Sequence, residues 1–251
     1  MTRPAPIFET RLAVCADDVA AAQRLRYSVF VEELGADGPF ADHGARLERD
    51  AFDAHADHLL LLDCGRASND QIVGVYRLMD GQARADAGAF YSSDEYDLSV
   101  LEASGRPLME LGRSCLHRDY RGGAAMMHLW QGLADILRAR AIEVVFGVAS
   151  FHGTDLAALA QPLSVLARDH AVPADLYVRA KTYQNMAITD QIDRVTAMKQ
   201  VPALIKAYLR LGGFVGDGAF VDVAFNTVDV CLVLDTERMN PRQAAIYGGA
   251  P

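Results

Sequence analysis

Residues Leu108 to Gly123 read L-M-E-L-G-R-S-C-L-H-R-D-Y-R-G-G, and the fold turns on this stretch. Leu108 to Leu116 has the length and apolar content of a buried strand. Glu110 and Arg113 interrupt it, although buried strands carry few charges. Three positions apart, the two side chains point to opposite faces of a regular strand. Gly112 between them offers a bulge that brings both toward one side. Such a pair is either a structural ion pair in the sheet or the mark of a functional site. After the turn, Gly122-Gly123 opens a helix whose Met126, Leu129, Trp130, Leu133 and Leu137 form one apolar stripe. Strand, basic glycine turn and helix start make an anion-binding construction, because the first N–H groups of a helix have no internal partner.

Working outward, residues 11–16 read as a first strand, and Asp17 and Asp18 supply N-cap chemistry for a helix over 18–34. A polar, irregular stretch runs from Gly35 to Ala56. His58 to Cys64 and Gln71 to Met79 are strands joined by a hairpin loop. The long connection 80–107 is where a binding loop would live. Ile142 to Ser150 is a buried strand, and Thr154 and Asp155 cap a helix carrying Leu156, Leu159, Leu163 and Leu166. Residues 171–200 have no clear period. Pro202 starts a short helix that Gly212-Gly213 closes. The strands Ala219 to Phe225 and Val228 to Leu234 complete the fold, and the chain from Asp235 reads as a poorly ordered tail. The organisation is one mixed α/β domain over 10–240, with 241–251 as the tail.

The chain has 251 residues, with 24 Lys+Arg against 33 Asp+Glu, a net charge of −9. That balance argues against nucleic acid, whose phosphates need a basic surface. Only Lys181, Lys199 and Lys206 are lysines, so 21 of the 24 cations are arginines, whose forks suit carboxylate and phosphate groups. Cys15, Cys64, Cys115 and Cys231 are too far apart for a C-x-x-C metal or redox knuckle, and no metal is expected. The N-terminus lacks a signal-peptide shape and no apolar run is long enough to span a bilayer, so a cytoplasmic protein is expected. P-A-L-I-K-A-Y-L-R-L-G-G at 202–213 is either an interfacial amphipathic helix, giving peripheral contact with the cytoplasmic membrane, or an ordinary packed helix.

Further charges sit in odd places. Arg26, Phe30 and Glu33, spaced by 4 and 3, share one helix face. Asp50 and Asp53 flank Phe52 in D-A-F-D, just before a strongly apolar strand.

Read together, these features resemble the GNAT acyltransferase superfamily. Its phosphate loop, (Gln/Arg)-x-x-G-x-(G/A), is matched by Arg118 and Gly123 in R-D-Y-R-G-G, with Arg121 in place of the first glycine. Arg26 and Phe30, Asp50 and Asp53, Arg77, and the E-x-x-R of Glu110 and Arg113 are similar to the charged set of acyl-homoserine-lactone synthases. The fullest resemblance, over about residues 10–240, is to the L-ornithine Nα-acyltransferase family. R-Y-S-V-F-V-E-E-L-G-A-D-G, I-V-G-V-Y-R-L-M, M-E-L-G-R-S-C-L-H-R-D-Y-R, F-G-V-A-S-F-H-G-T-D and V-G-D-G-A-F-V-D-V-A-F-N-T-V-D-V carry it.

The resemblance implies a largely antiparallel central sheet flanked by helices, with additions at the C-terminal end. It implies transfer of a 3-hydroxyacyl group from acyl carrier protein, as a phosphopantetheine thioester, to the α-amine of L-ornithine. No resident cofactor is implied. Glu110 is then the base, with Arg113 fixing it or pairing with Asp53. Arg26 or Arg77 receives the ornithine carboxylate, and Asp50 or Glu33 the side-chain ammonium, beside Phe30. Ser114, Cys115, Leu116, Arg118, Arg121, Gly122 and Gly123 take the donor, with a backbone N–H near Ser114 to Leu116 for the oxyanion. The acidic carrier calls for a local basic patch, either Arg118, Arg121, Arg138 and Arg140, or Lys199, Lys206 and Arg210. Rival readings are a coenzyme-A-dependent N-acetyltransferase, an N-acyl amino acid synthase with another acceptor, and a binding module without catalysis.

Overall fold

The computed structural model describes residues 5–240 and 242. Eight strands form one sheet: β1 (Phe8–Leu12), β2 (Asp57–Asp63), β3 (Ile72–Asp80), β4 (Leu108–Leu116), β5 (Val144–His152), β6 (Phe214–Val215), β7 (Phe220–Asp222) and β8 (Thr227–Asp235). Their order is β1-β2-β3-β4-β5-β8-β6, with β7 paired to β8. Every pairing is antiparallel except β4 with β5. The helices are α1 (Ala16–Arg26), α2 (Gly81–Ala87), α3 (Ser99–Ala103), α4 (Ala125–Ala139), α5 (Ala160–Asp169), α6 (Arg194–Gln200) and α7 (Ala203–Leu211). This is the mixed, mostly antiparallel GNAT-like architecture that the resemblance implied.

The parallel pair creates the site. β4 and β5 hold register only from Leu108 opposite Val144 to Glu110 opposite Phe146. Beyond that point β4 stays on β3 while β5 continues along β8 to His152 opposite Thr227, so the two strands part. Gly147 stands at the fork. A Cβ there would lie 2.1 Å from the Leu111 carbonyl oxygen, so only glycine lets the strands approach so closely where they separate. The opening is a cleft of about 220 Å³ reaching between the two strands.

Three apolar clusters hold the sheet. Trp130 and Leu133 of α4, Leu163 of α5, and Ile205 and Tyr208 of α7 cover one face over Leu111, Val145 and Leu232. On the other face, Phe90, Tyr96 and Leu101 from the connection after β3 pack on Phe146, Cys231 and Val233. Ala22, Leu25 and Val29 cover Leu60, Leu62, Val75 and Cys115.

Several expectations shift. The first strand runs from Phe8 rather than from residue 11, because Phe8 to Leu12 find partners on β2. Helix α1 is capped by Cys15 without a side-chain bond, since Asp18 is drawn to Arg11 and to the Val14 N–H. The helix does continue toward Leu34, with Tyr27–Glu33 widened into a π-helical segment. Asp155 caps only a turn, accepting from the Ala157 and Ala158 N–H groups, and α5 starts at Ala160. The 202–213 segment is a packed helix: Ile205, Tyr208 and Leu211 are buried, and the Tyr208 ring meets Trp130 at 5.1 Å. Asp235 is not the start of a loose tail; two bonds from Arg106 hold it, and it caps the turn Thr236–Arg238. Residues 241 and 243–251 of the expected tail lie outside the described residues. No described helix is long and apolar enough to cross a membrane.

Candidate active site

The cleft begins at a defect in β4. Val75 opposes Cys115 while Arg77 opposes Gly112, so Arg113 and Ser114 together face the single residue Tyr76. This is the bulge that Gly112 suggested, displaced by one residue. Arg113 itself carries the left-handed backbone, at φ +52°, a conformation costing a non-glycine residue on the order of 1–3 kcal/mol and concentrated at functional sites. The bulge puts Glu110, Arg113 and Ser114 in one cleft.

Arg113 donates from Nε to Glu48 at 2.9 Å and from Nη2 to Asp50 at 2.9 Å. Its guanidinium lies between the rings of Tyr91, at 4.4 Å, and Phe225, at 4.8 Å. Arg77 Nη1 reaches Asp50 at 2.6 Å and Asp53 at 2.9 Å. Arg26 gives Asp53 two bonds, at 2.8 and 3.0 Å, and its Nε returns to Glu48. The result is a closed ring of alternating charge, Glu48–Arg113–Asp50–Arg77–Asp53–Arg26, with zero net charge. Burial pushes Asp53 and Asp50 up, but the arginines outweigh it and hold both carboxyls below their usual range. Gln23 braces Asp53 at 2.8 Å.

This ring corrects the roles read from sequence. Asp53 pairs with Arg26 and Arg77, not with Arg113, because the helical turn Ala51–Ala54 sets Asp50 and Asp53 on successive arginines. Arg113 does not fix Glu110 by an ion pair. Arg26 is wholly buried with each guanidinium nitrogen on a carboxylate. Neither it nor Arg77, whose Nη2 is buried without a partner, lines the cleft, so neither is placed to receive a substrate carboxylate there. Asp50 is neutralised by two arginines, and Glu33 by Arg118 and Arg121, which removes both as open ammonium sites. Glu48, the sixth member, went unnoticed because it lies in the irregular stretch, in a two-residue strand (Leu47–Glu48) with no period to flag it.

Other expected residues divide. Phe30 lines the cleft, edge-on to Phe225 at 6.2 Å. Ser114 lines it too, and its Oγ and the Tyr76 hydroxyl are buried without a hydrogen-bond partner. Cys115 points under α1 and Leu116 toward α4, so only the backbone there can serve a substrate. Arg121 also donates to the Leu116 carbonyl, at 3.1 Å from both Nε and Nη2. Gly122, at φ +77°, makes the turn into α4, whose N-cap, Ala124, provides no side-chain bond.

Glu110 sits where the strands part, 3 % exposed. Its Oε1 accepts from Ser92 N–H at 2.6 Å and from the Ser92 hydroxyl; Oε2 accepts from Tyr91 N–H at 2.7 Å. Burial raises its pKa above the ordinary value, and the Ser92 and Tyr91 donors offset this only in part. The connection after β3, read as a binding loop, thus supplies the donors through its turn Tyr91–Asp94. Asp222 and Asp229 complete the charged lining, and Arg113 is the one cation among the described lining residues. Glu95, Asp222 and Asp229 each offer a carboxylate oxygen within 4.8 Å of the others. Sequence reading missed these three, although Asp229 interrupts an apolar strand just as Glu110 does.

Residues 25–131 match the acetyltransferase (GNAT) domain family. An L-ornithine N(alpha)-acyltransferase of Rhodobacter capsulatus is 53 % identical over 244 residues, covering 96 % of this chain and 94 % of that one. One of Brucella abortus is 41 % identical over 96 % and 89 % of the two chains. Among solved structures, a CoA-dependent acyl-homoserine lactone synthase superposes with a TM-score of 0.54 at 15 % identity, over 97 % of this chain and 88 % of that one, which speaks to the fold. With such identity over nearly the full length, the chain is an N-acyltransferase and belongs to the L-ornithine Nα-acyltransferase family.

Proposed function

We propose that the chain transfers a 3-hydroxyacyl group from acyl carrier protein to the α-amine of L-ornithine, giving lyso-ornithine lipid. One observation carries the acceptor: the cleft lining holds one guanidinium, Arg113, and three carboxylates, Glu110, Asp222 and Asp229. Ornithine brings one carboxylate for the guanidinium and two ammonium groups to be shared among the three carboxylates. Arg113, its Nε and Nη2 already engaged, is fixed by Glu48 and Asp50 to receive the carboxylate.

The α-amine attacks the thioester carbonyl after losing a proton to Glu110, directly or through water. The tetrahedral oxyanion meets a backbone N–H on the β4 edge near Ser114, which has no strand partner beyond Glu110. Collapse forms the amide and breaks the C–S bond, and the second proton shed by the nitrogen passes to the departing sulfur, so that phosphopantetheine leaves as the thiol. The expected product is a ninhydrin-positive lysolipid with an amide-linked 3-hydroxy acid, detected by mass spectrometry when the chain is expressed in a host lacking ornithine lipids. Extracts without that species would overturn the reading.

A carrier-protein donor is favoured by the charges around the cleft. Arg118 and Arg121 are tied to Glu33, Arg138 to Asp135, and Arg140 to Asp57 and Asp80. Lys199, Lys206 and Arg210 make no ion pair among the described residues, and they sit on α6 and α7, beside Leu204 and Tyr208 of the lining. Reversing Lys206 and Arg210 to Glu is expected to lower kcat/KM for acyl carrier protein about tenfold at low salt, through association. A small acyl-pantetheine donor should lose far less. Equal losses with both donors would move the docking face elsewhere.

A further inference from the structure

Glu95, Asp222 and Asp229 come from separate elements. Glu95 follows the turn Tyr91–Asp94, Asp222 ends β7, and Asp229 stands on β8 opposite Ser150 of β5. Glu95 and Asp229 are 4 % and 3 % exposed, and Glu95 Oε2 and Asp229 Oδ1 have no hydrogen-bond donor. Asp222 Oδ1 accepts from the Phe225 N–H at 2.9 Å. No cation pairs with any of the three among the described residues. Arg113, the cation whose charge reaches Glu95 and Asp229, spends Nε and Nη2 on Glu48 and Asp50. Burial, compounded by the neighbouring carboxylates, raises Glu95 to about 9; it raises Asp229 to about 6, where the nearby Ser150 and Thr227 hydroxyls offset it only in part. Three crowded carboxylates, two of them buried with a bare oxygen, are unfavourable unless a cation enters.

Resting on the acyl transfer to ornithine proposed above, we propose that Glu95, Asp222 and Asp229 receive the side-chain ammonium of the acceptor and thereby select a diamino acid over its neutral isostere. An ammonium has three N–H donors, one for each carboxylate. Asp222 and Asp229 face the same cleft as Arg113 and Glu110, so the acceptor's carboxylate, reacting amine and side-chain ammonium have separate anchors. A hard divalent cation suits the site less well, since it takes six or more oxygen ligands and one oxygen here is already bonded to Phe225 N–H.

The test compares L-ornithine with L-norvaline, which has the same carbon skeleton and no side-chain amine. With Asp229→Asn, kcat/KM for ornithine is expected to fall about 100-fold and that for norvaline only a few-fold, collapsing the preference. Glu95→Gln should collapse it in the same direction. Both variants should also melt higher than the parent at pH 8, by about 2 °C or more, because folding no longer has to bury the Asp229 charge or protonate Glu95, whose folded pKa is about 9. That rise separates loss of recognition from loss of fold. An unchanged ornithine-to-norvaline ratio in both variants would overturn the assignment. So would activity lost to EDTA and restored by Mg²⁺ or Ca²⁺, which would make the cluster a metal site. A parent protein that acylates norvaline but not ornithine would sink the acceptor reading itself, and this assignment with it.

Discussion

Replacing Glu110 with glutamine is expected to lower kcat by roughly 10²–10⁴, the range over which a positioned base acts. The substitution keeps the volume of a side chain only 3 % exposed, so the packing around it is little altered. What changes is the proton. Glutamine cannot take one from the amine, and it meets three donors: the Ser92 N–H and hydroxyl on one oxygen and the Tyr91 N–H on the other. One of those backbone N–H groups then faces an NH₂, which costs about 1–3 kcal/mol of stability. A modest fall in Tm is therefore expected beside the fall in kcat, and the pH–rate profile tells them apart. Burial raises the Glu110 pKa, so the parent's activity should fall, as pH drops, on a limb lying above the ordinary carboxylate value. In Glu110→Gln that limb should vanish, whereas a merely loosened protein would keep it at reduced amplitude. Near-normal turnover of the variant from pH 7 to 9 would remove Glu110 as the base.

The strand carrying Glu110 was legible because local chemistry determines it. Its ends agree residue for residue, and the charges inside it announced a site. Strand ends elsewhere moved by one to four positions where pairing partners, not propensity, decide them, as for Phe8 on β2. The bulge was foreseen from Gly112, yet the left-handed residue is Arg113, because the position is held by what the guanidinium touches rather than by backbone freedom. Pairing was the part least visible. Arg113 and Glu48 are 65 positions apart and meet only when the irregular stretch folds over β4. Sequence offered Asp53 as a partner for Arg113 on chemistry alone, and the turn Ala51–Ala54 hands that place to Asp50. Glu95, Asp222 and Asp229 show the same limit: each is ordinary in its own segment, and the cluster exists only in three dimensions.

Arg26→Met is expected to destabilise the fold by about 3–5 kcal/mol, the usual consequence of removing one partner from a buried charge pair. Methionine fills much of the space of a side chain with no exposure, so cavity formation is minor. The damage is electrostatic, because the wholly buried Glu48 and the nearly buried Asp53 lose their shared counter-charge. At about 2–4 °C per kcal/mol for a chain of this size, Tm should fall by roughly 6–20 °C. The ring also predicts the sign of the acid response. Asp53 and Asp50 are held below their unfolded pKa, so their stabilisation is present above about pH 4 and is lost as pH falls through the depressed folded values. Glu95 works oppositely: its folded pKa of about 9 lies above the unfolded one, so the stability it confers is full at low pH and drains as pH rises toward 9. Stability should thus peak between these limits. Arg26→Met should blunt the acid side, since Asp53 is no longer held as low, while leaving the alkaline slope to Glu95. A variant that melts within about 2 °C of the parent, with the acid limb intact, would mean that the ring tolerates a missing member and that Arg77 alone holds Asp53.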